Sequence, residues 1–284
     1  MPTVRDRIRE AVQLLTEVSD TPRADAEFLM AHVLGVPRSR LALHFEDEAD
    51  APEFRVLVER RMAYEPIPYI LGEWEFYSIP IKTRRPVLVP RPETEHLVEV
   101  VLEGLRGREA DRVPRILELC TGTGCIAIAI AKNLPSAHIV ATDNSDEALV
   151  LAGENVEMQH LESQISILKG DLFGALRGDE GPFDAICANP PYVEEGAFPG
   201  LSPSIRLYED PHALVAGADG LDAVRRIVAD APRYLADGGL LALEIGEGQY
   251  VAAQQLFEGA GFRGVQARND LAGIQRIVLV RKQE

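Results

Sequence analysis

Four consecutive residues, Asn189-Pro190-Pro191-Tyr192, hold the most specific chemistry in this chain. They follow Phe183-Asp-Ala-Ile-Cys-Ala188, which the apolar pattern predicts as a short buried strand. Two prolines end such a strand, because proline fixes φ and has no N–H for the ladder. In open α/β sheets, ligands sit outside the carboxyl ends of the strands. Asn189 carries a side-chain carbonyl that accepts hydrogen bonds, and Pro190 offers only its backbone carbonyl. Two carbonyls converging on one point suit a planar –NH2 group, with Tyr192 stacked on its flat face. An amide or aromatic amine is a weak nucleophile, because its lone pair is delocalised. Acceptors on both of its N–H bonds return density to nitrogen and fix its direction of attack. That is catalysis by orientation and preorganised electrostatics. For a lone Pro-Pro-Tyr, a turn with a packed tyrosine is the plain structural alternative.

The tetrapeptide resembles the signature of methyltransferases that alkylate the planar nitrogens of adenine, cytosine or glutamine with S-adenosylmethionine. The elements needed to position it are legible upstream. Arg115-Ile-Leu-Glu-Leu-Cys120 reads as a strand and Thr121-Gly122-Thr123-Gly124 as a glycine-rich turn. Ile126 to Ala131 continues as a helix of small residues that pack close to a sheet. His138-Ile-Val-Ala-Thr-Asp143 is the next strand, ending in an acid able to take both ribose hydroxyls. A dinucleotide site has this layout with a third glycine two residues on. The turn here reads Thr-Gly-Thr-Gly-Cys, which favours S-adenosylmethionine. Such a turn also occurs as plain scaffold in α/β proteins.

Asp146 to His160 is predicted helical, and Ile165 to Lys169 a short strand followed by Gly170-Asp171-Leu172-Phe173. Asp171 is placed to accept from an adenine amino group, with Leu172 or Phe173 against the ring. It is equally placed as the N-cap of a short helix. Residues 193–218, rich in Pro, Gly and acids, read as a long binding loop beside the site. Gly220 to Leu235 is again helical, Gly239 to Ile245 a strand and Gln249 to Glu258 a helix. Phe262 to Ala267 and Arg276 to Arg281 are two last strands with no helix between them, so they should pair antiparallel. The βαβα alternation predicts an α/β fold, a mainly parallel sheet closed by an antiparallel hairpin.

The first part of the chain is different. Val4, Ile8, Val12 and Leu15 recur at helical spacing, and Thr21-Pro22 opens a second helix that stops at Gly35. A short segment holds Leu41, Leu43 and Phe45, and Pro52 begins another helix. This is a small helical domain of residues 1–70, of the kind that commonly selects substrate. Glu65-Pro-Ile-Pro-Tyr69 breaks its pattern, and Gly72 onward reads as a β-hairpin linker over residues 71–86. Residues 87–284 form the larger domain, opening with a strand that ends at Pro90 and a helix from about Thr94 to Leu105.

The chain has 284 residues and a net charge of −16, a poor design for gripping a nucleic-acid backbone. No apolar run approaches the ~20 residues of a membrane span. The first residues lack the apolar core of a signal peptide. Cys120, Cys125 and Cys187 are sparse, odd in number and without Cys-x-x-Cys spacing, which argues against a disulfide framework or a metal site. A cytoplasmic enzyme with reduced thiols follows as the expectation, with no direct nucleic-acid partner and no membrane.

The whole chain resembles the PrmC/HemK release-factor glutamine methyltransferases. The matching text is Pro-Tyr-Ile-Leu-Gly-Glu (68–73), Val-Leu-Val-Pro-Arg-Pro-Glu-Thr-Glu (87–95), Glu-Leu-Cys-Thr-Gly-Thr-Gly-Cys-Ile-Ala (118–127), Asn-Pro-Pro-Tyr (189–192) and Ala-Leu-Val-Ala-Gly-Ala-Asp-Gly-Leu-Asp (213–222). The resemblance implies a helical domain ahead of a seven-stranded, Rossmann-like class I S-adenosylmethionine-dependent methyltransferase fold. It implies methylation of the side-chain nitrogen (N5) of a glutamine in the Gly-Gly-Gln loop of class 1 peptide chain release factors. Carried over by position, Cys120, Thr121, Gly122, Thr123 and Gly124 line the methionine part of the cofactor. Asp143 holds the ribose, and Asp171 with Leu172 the adenine end. Asn189 and Pro190 accept from the substrate amide, with Pro191 and Tyr192 beside it and Asn189 also bordering the cofactor. One departure is visible: Tyr208-Glu209-Asp210-Pro211 has its proline one place late.

Two other enzymes share Asn-Pro-Pro-Tyr. One methylates a glutamine in a large-subunit ribosomal protein, but Arg-Pro-Glu-Thr-Glu at 91–95 fits the release-factor enzymes better. The other is an adenine-N6 nucleic-acid methyltransferase acting on a flipped base, which calls for basic surface and a recognition domain not evident here. A binding module with a decayed site is the non-enzymatic alternative. The intact glycine turn, Asp143 and Asn189 argue against it.

Overall fold

A computed structural model describes residues 1–107, 113–177 and 180–283. The chain divides into two compact units. The first contains Met1–Glu73 together with Ser202–Glu209, and the second Trp74–Leu201 and Asp210–Glu284.

The first unit is helical. α1 (Val4–Leu15) starts at a reciprocal cap: the Thr3 hydroxyl accepts from the Asp6 N–H and Asp6 accepts from the Thr3 N–H. Its buried residues Val4, Ile8, Ala11 and Leu15 form one stripe. α2 (Pro22–Leu34) has proline in its first turn and ends at Gly35 in the left-handed region. A 3-10 turn over Arg38–His44 buries Leu41 but leaves Leu43 exposed. α3 (Pro52–Met62) and the short α4 (Ile67–Leu71) complete the unit. The break expected at residues 65–69 is therefore only a turn, because Pro66 and Pro68 fall at the start of α4, where the missing N–H groups cost nothing. Arg61 donates to Asp25 at 2.7 Å in the interior, and Ser19 and Thr21 add hydroxyl donors to the same carboxylate.

At the start of the second unit stands the hairpin β1 (Glu73–Phe76) and β2 (Ile79–Lys82), whose first residue closes the first unit. Phe76 and Ile81 are buried in the core of this unit. Seven strands then form one sheet: β3 (Arg115–Leu119), β4 (His138–Asp143), β5 (Ile165–Lys169), β6 (Phe183–Ala188), β7 (Leu235–Glu244), β8 (Gln266–Asn269) and β9 (Gln275–Arg281). Their order is β5-β4-β3-β6-β7-β9-β8, parallel except for β9, which runs antiparallel between β7 and β8. The expected closing hairpin is present. Its first strand begins only at Gln266, because Phe262 turns into the core and Gly264 takes a left-handed φ.

The sheet is covered on both faces. α5 (Glu95–Leu105) and α6 (Cys125–Asn133) bury one face with Ile116, Ala185, Cys187, Leu240 and Ala242. α9 (Asp222–Tyr234) and α10 (Tyr250–Gly259) bury the other with Leu117, Leu119, Ile186, Leu241 and Leu243. Burial on both faces explains why β3, β6 and β7 read as near-continuous apolar runs. α7 (Asp146–Met158) begins at Ser145, whose hydroxyl accepts from the Ala148 N–H.

Two expectations change here. Val87–Pro90 is not a strand: prolines at 86 and 90 deny it ladder N–H groups, and Val87 and Val89 pack as buried coil. Residues 193–218 are not structureless. Val193 bridges Val215 in parallel, and α8 (Pro203–Arg206) lies within the stretch assigned to the first unit.

Candidate active site

Strand register assembles the site. Leu119 of β3 pairs with Ala188 of β6 and with Thr142 of β4, while Asp143 pairs with Lys169 of β5. Cys120, Asp143, Gly170 and Asn189 therefore leave the sheet at one edge. β3 has β4 on one side and β6 on the other, so the chain winds away in both directions there, and the crevice opens at that point.

The crevice is a cleft of about 740 Å3, part of it open to solvent. Cys120, Gly122, Asp143, Asp171, Leu172, Asn189 and Pro191 line it, as do Pro86, Val87, Leu88, Ser145 and Ala148. Asp210 and His212 approach from the segment after the long loop, where the Asp210 N–H donates to the Pro86 carbonyl. The carboxylates Asp143, Asp171 and Asp210 face this space, and no lysine or arginine lines it among the described residues. Apolar walls with a net negative field suit a flat heterocycle joined to a cationic group.

Asp143 is held by the backbone. Its Oδ2 accepts from the Gly122 N–H at 2.9 Å and its Oδ1 from the Ser145 N–H at 3.0 Å. Burial raises its pKa above the usual carboxylate range, against the pull of the Ser145, Gly122 and Asn144 N–H groups. The carboxylate keeps acceptor capacity for a hydroxyl donor. Gly122 and Gly124 have φ of +57° and +81°, which bends the chain sharply between β3 and α6. Thr121, Thr123 and Gly124 do not line the cleft. The Thr121 hydroxyl donates to Glu118 at 2.8 Å, the Thr123 carbonyl accepts from Asn155, and a side chain at Gly124 would press on Ala152. They shape the turn from behind. Burial pushes the Cys120 and Cys125 thiols up, Cys125 to about 12, so neither is an activated nucleophile.

Asp171 stands at the N-cap position of the Leu172–Ala175 turn, but its side chain makes no capping bond. Its Oδ2 accepts instead from Arg226 at 2.6 Å. Leu172 is buried with φ +51° and lines the cleft.

Asn189 lies at the cleft wall, and its Nδ2 donates to the Thr94 hydroxyl at 3.1 Å. Pro190 is buried behind it. Tyr192 does not line the cleft, because its hydroxyl donates to Glu244 Oε1 at 3.3 Å at the end of β7. Burial and the neighbouring Glu244 push its phenol pKa up. Gln249 completes the turn by donating to the Tyr192 carbonyl at 2.9 Å.

Two buried acids were not singled out from sequence. Glu118 Oε2 accepts from Thr121 and from the Ala127 N–H, and burial pushes its pKa up to about 8. Burial pushes Glu244 up to about 7, against bonds from Thr94 and Tyr192 and the charge of Arg276. Their signal was present: each is a lone acid inside an apolar strand, Ile-Leu-Glu-Leu and Leu-Ala-Leu-Glu-Ile. Pro86, Asp210 and His212 had no such local signal.

The seven-stranded sheet and the cleft at its switch point define a class I methyltransferase of Rossmann-like fold. The family model "Methyltransferase small domain" matches residues 97–200, and "PrmC N-terminal domain" matches residues 6–72. The chain belongs to the release factor glutamine methyltransferase family. It is 40% identical over 269 residues to the Release factor glutamine methyltransferase of Rhodopirellula baltica, covering 93% of this chain and 90% of that one. It is 41% identical over 279 residues to that of Thermodesulfovibrio yellowstonii, covering 98% and 97%. A methyltransferase from Pyrococcus furiosus shares the fold, with a TM-score of 0.55 and 18% identity over 82% of this chain and 98% of that one. The catalytic domain of hMettl16 does so with a TM-score of 0.58 and 18% identity over 72% and 76%.

Proposed function

We propose that this enzyme transfers the methyl group of S-adenosylmethionine to the side-chain amide nitrogen, N5, of the glutamine in the Gly-Gly-Gln loop of class 1 peptide chain release factors. One observation carries the mechanism. The Asn189 NH2 is committed to Thr94, so its carbonyl oxygen is the group left to face a substrate at the cleft.

S-adenosylmethionine, when bound, supplies an electrophilic methyl on a sulfonium. The acidic, partly apolar cleft fits such a cation. Asp143 is the residue to hold its ribose hydroxyls, Leu172 to pack on its adenine, and Asp171 to accept from the adenine amino group. The chain at Cys120 to Gly122 borders its methionine part, and Thr121, Thr123 and Gly124 support that turn. Asn189 Oδ1 and the Pro190 carbonyl accept the two N–H bonds of the substrate amide and aim its nitrogen at the methyl. Pro191 walls the same space, and Tyr192 fixes the turn that presents both acceptors. No strong base is required before transfer, since the proton leaves more readily once nitrogen has gained the methyl group.

The helical first domain (residues 1–70, ahead of the hairpin at 71–86 and the methyltransferase domain 87–284) recognises the body of the release factor. Hydrogen exchange with and without release factor should show new protection in that domain. The work belongs in the cytoplasm, where release factors act. The three free thiols agree with a reducing compartment, and no helix among the described residues is long and apolar enough to cross a membrane.

The decisive experiment offers labelled S-adenosylmethionine with intact release factor, a large-subunit ribosomal protein and adenine-containing DNA as separate acceptors. Mass spectrometry should place the label on the Gly-Gly-Gln glutamine alone. Labelling of either other acceptor with none on release factor would overturn the reading.

A further inference from the structure

Behind Asn189 lies a buried acid that methyl transfer as described does not use. Glu244 ends β7 and is 1% exposed. Alternation along the strand puts it on the face of Leu240 and Ala242, the face covered by α5. Thr94, 2% exposed, sits at the entrance to α5. Its hydroxyl hydrogen-bonds the Glu244 carboxyl and also meets Asn189 Nδ2 at 3.1 Å. The Tyr192 hydroxyl donates to the same carboxyl. Asn189, Thr94, Glu244 and Tyr192 thus form one hydrogen-bonded chain that contains both ends of the Asn-Pro-Pro-Tyr segment.

We propose that Glu244 is a positioning residue for methyl transfer: it orients the Thr94 hydroxyl, and through that hydroxyl holds the Asn189 amide with its oxygen toward the cleft. The inference rests on the reading of Asn189 as the substrate's acceptor. Its basis is the sense of each hydrogen bond. An ionised carboxylate only accepts. Facing it, the Thr94 O–H donates, and the hydroxyl presents a lone pair to Asn189. Only the NH2 end of the Asn189 amide can answer a lone pair, so Oδ1 is turned away from Thr94. The two ends of an asparagine amide are nearly equal in shape, so packing alone does not choose between them. With the amide flipped, an NH2 would face the substrate's NH2. Two donors would then oppose each other where an acceptor is needed.

The surroundings of Glu244 make this device respond to protonation. Arg276 on β9 and the Thr94 and Tyr192 hydroxyls favour the charged form, while burial and Glu93 oppose it. Arg91 is a further charge near Tyr192. A protonated Glu244 can donate to Thr94 and so reverse the sense of the chain.

Single-turnover methylation of release factor tests this, with wild type, Thr94→Val, Thr94→Ser, Glu244→Gln, the Thr94→Val/Glu244→Gln double mutant and Asn189→Ala. Cofactor affinity by calorimetry and melting temperature are measured on each. Thr94→Val and Glu244→Gln should each slow transfer on the order of tenfold, as loss of orientation does, with cofactor affinity unchanged. The double mutant should be no slower than the slower single, because both break one chain. Thr94→Ser should regain the rate lost in Thr94→Val. The wild-type rate should rise as pH passes through about 7, and Thr94→Val should lose that rise. Should Glu244→Gln not fold, the Thr94 pair and its pH profiles carry the test. Thr94→Val at the wild-type rate beside a slow Asn189→Ala rejects the relay. So do additive losses in the double mutant, or losses matched by weaker cofactor binding. A wild-type rate for Asn189→Ala instead rejects the parent reading of the site.

Discussion

Asn155 of α7 exchanges two hydrogen bonds with the main chain of Lys82, accepting its N–H at 2.7 Å and donating to its carbonyl at 3.1 Å. The same NH2 donates to the Thr123 carbonyl at 2.9 Å. One fully buried side chain therefore ties the β-hairpin to the glycine turn. Asn155→Ala should destabilise the protein by about 2–3 kcal/mol, since it strands backbone groups on both partners. Urea denaturation measures this. A mutant as stable as wild type would mean that water replaces the amide there.

Asp143 accepts from the Gly122 and Ser145 N–H groups before any ligand arrives. Asp143→Ala should weaken S-adenosylmethionine binding by about 1.5–3 kcal/mol, the range for hydrogen bonds to a charged group. Asp143→Asn should also weaken binding, because one end of the amide is a donor where the ribose needs an acceptor. Calorimetry on folded mutants decides. Unchanged affinity in both would remove Asp143 from the cofactor site.

Asn189→Ala should leave cofactor affinity nearly intact and cut single-turnover methylation by about 10²–10³, as for loss of one preorganised electrostatic partner. Asn189→Asp keeps the shape and an acceptor but brings a negative charge beside a cationic cofactor. Holding the sulfonium equally in ground and transition states does not raise the rate. This mutant should bind cofactor at least as well as wild type and still be slow. A fast Asn189→Ala would reduce Asn-Pro-Pro-Tyr to a turn.

Stability should fall as pH rises into the alkaline range. Burial lifts the Glu118 and Glu244 carboxyls to about 8 and about 7, from ordinary values of 4.5. Between those limits the folded state binds more protons than the unfolded state. The stabilisation is full below the ordinary carboxylate range and is lost as pH climbs through the folded values. Glu118→Gln keeps an acceptor for Thr121 and Ala127 and has no proton to lose. Its melting temperature should decline less than that of wild type from about pH 5 to about pH 8.5. Parallel curves for the two proteins would take Glu118 out of the linkage.

What the sequence determined by itself was local and periodic. The strand, glycine turn and helix from Arg115 to Ala131, and the prolines that stop β6 before Asn189, follow from burial pattern and backbone chemistry within a few residues. The antiparallel closing pair followed from the lack of a helix between its strands. Tertiary structure alone decided which residues meet. Thr94 and Asn189 are 95 positions apart, Asp171 and Arg226 are 55 apart, and no local pattern encodes either pair. Val87–Pro90 reads as a strand because its residues are apolar, yet apolar residues report burial and not pairing. The flanking prolines leave it no ladder to join. Residue type offers Tyr192 as a surface beside the substrate, but not its hydroxyl's partner, Glu244, an acid whose buried position exists only once β7 lies beside β6. Residue types named the chemistry available at the strand ends. The register of four parallel strands brought those ends to one cleft, because that edge exists only after pieces distant in sequence have paired.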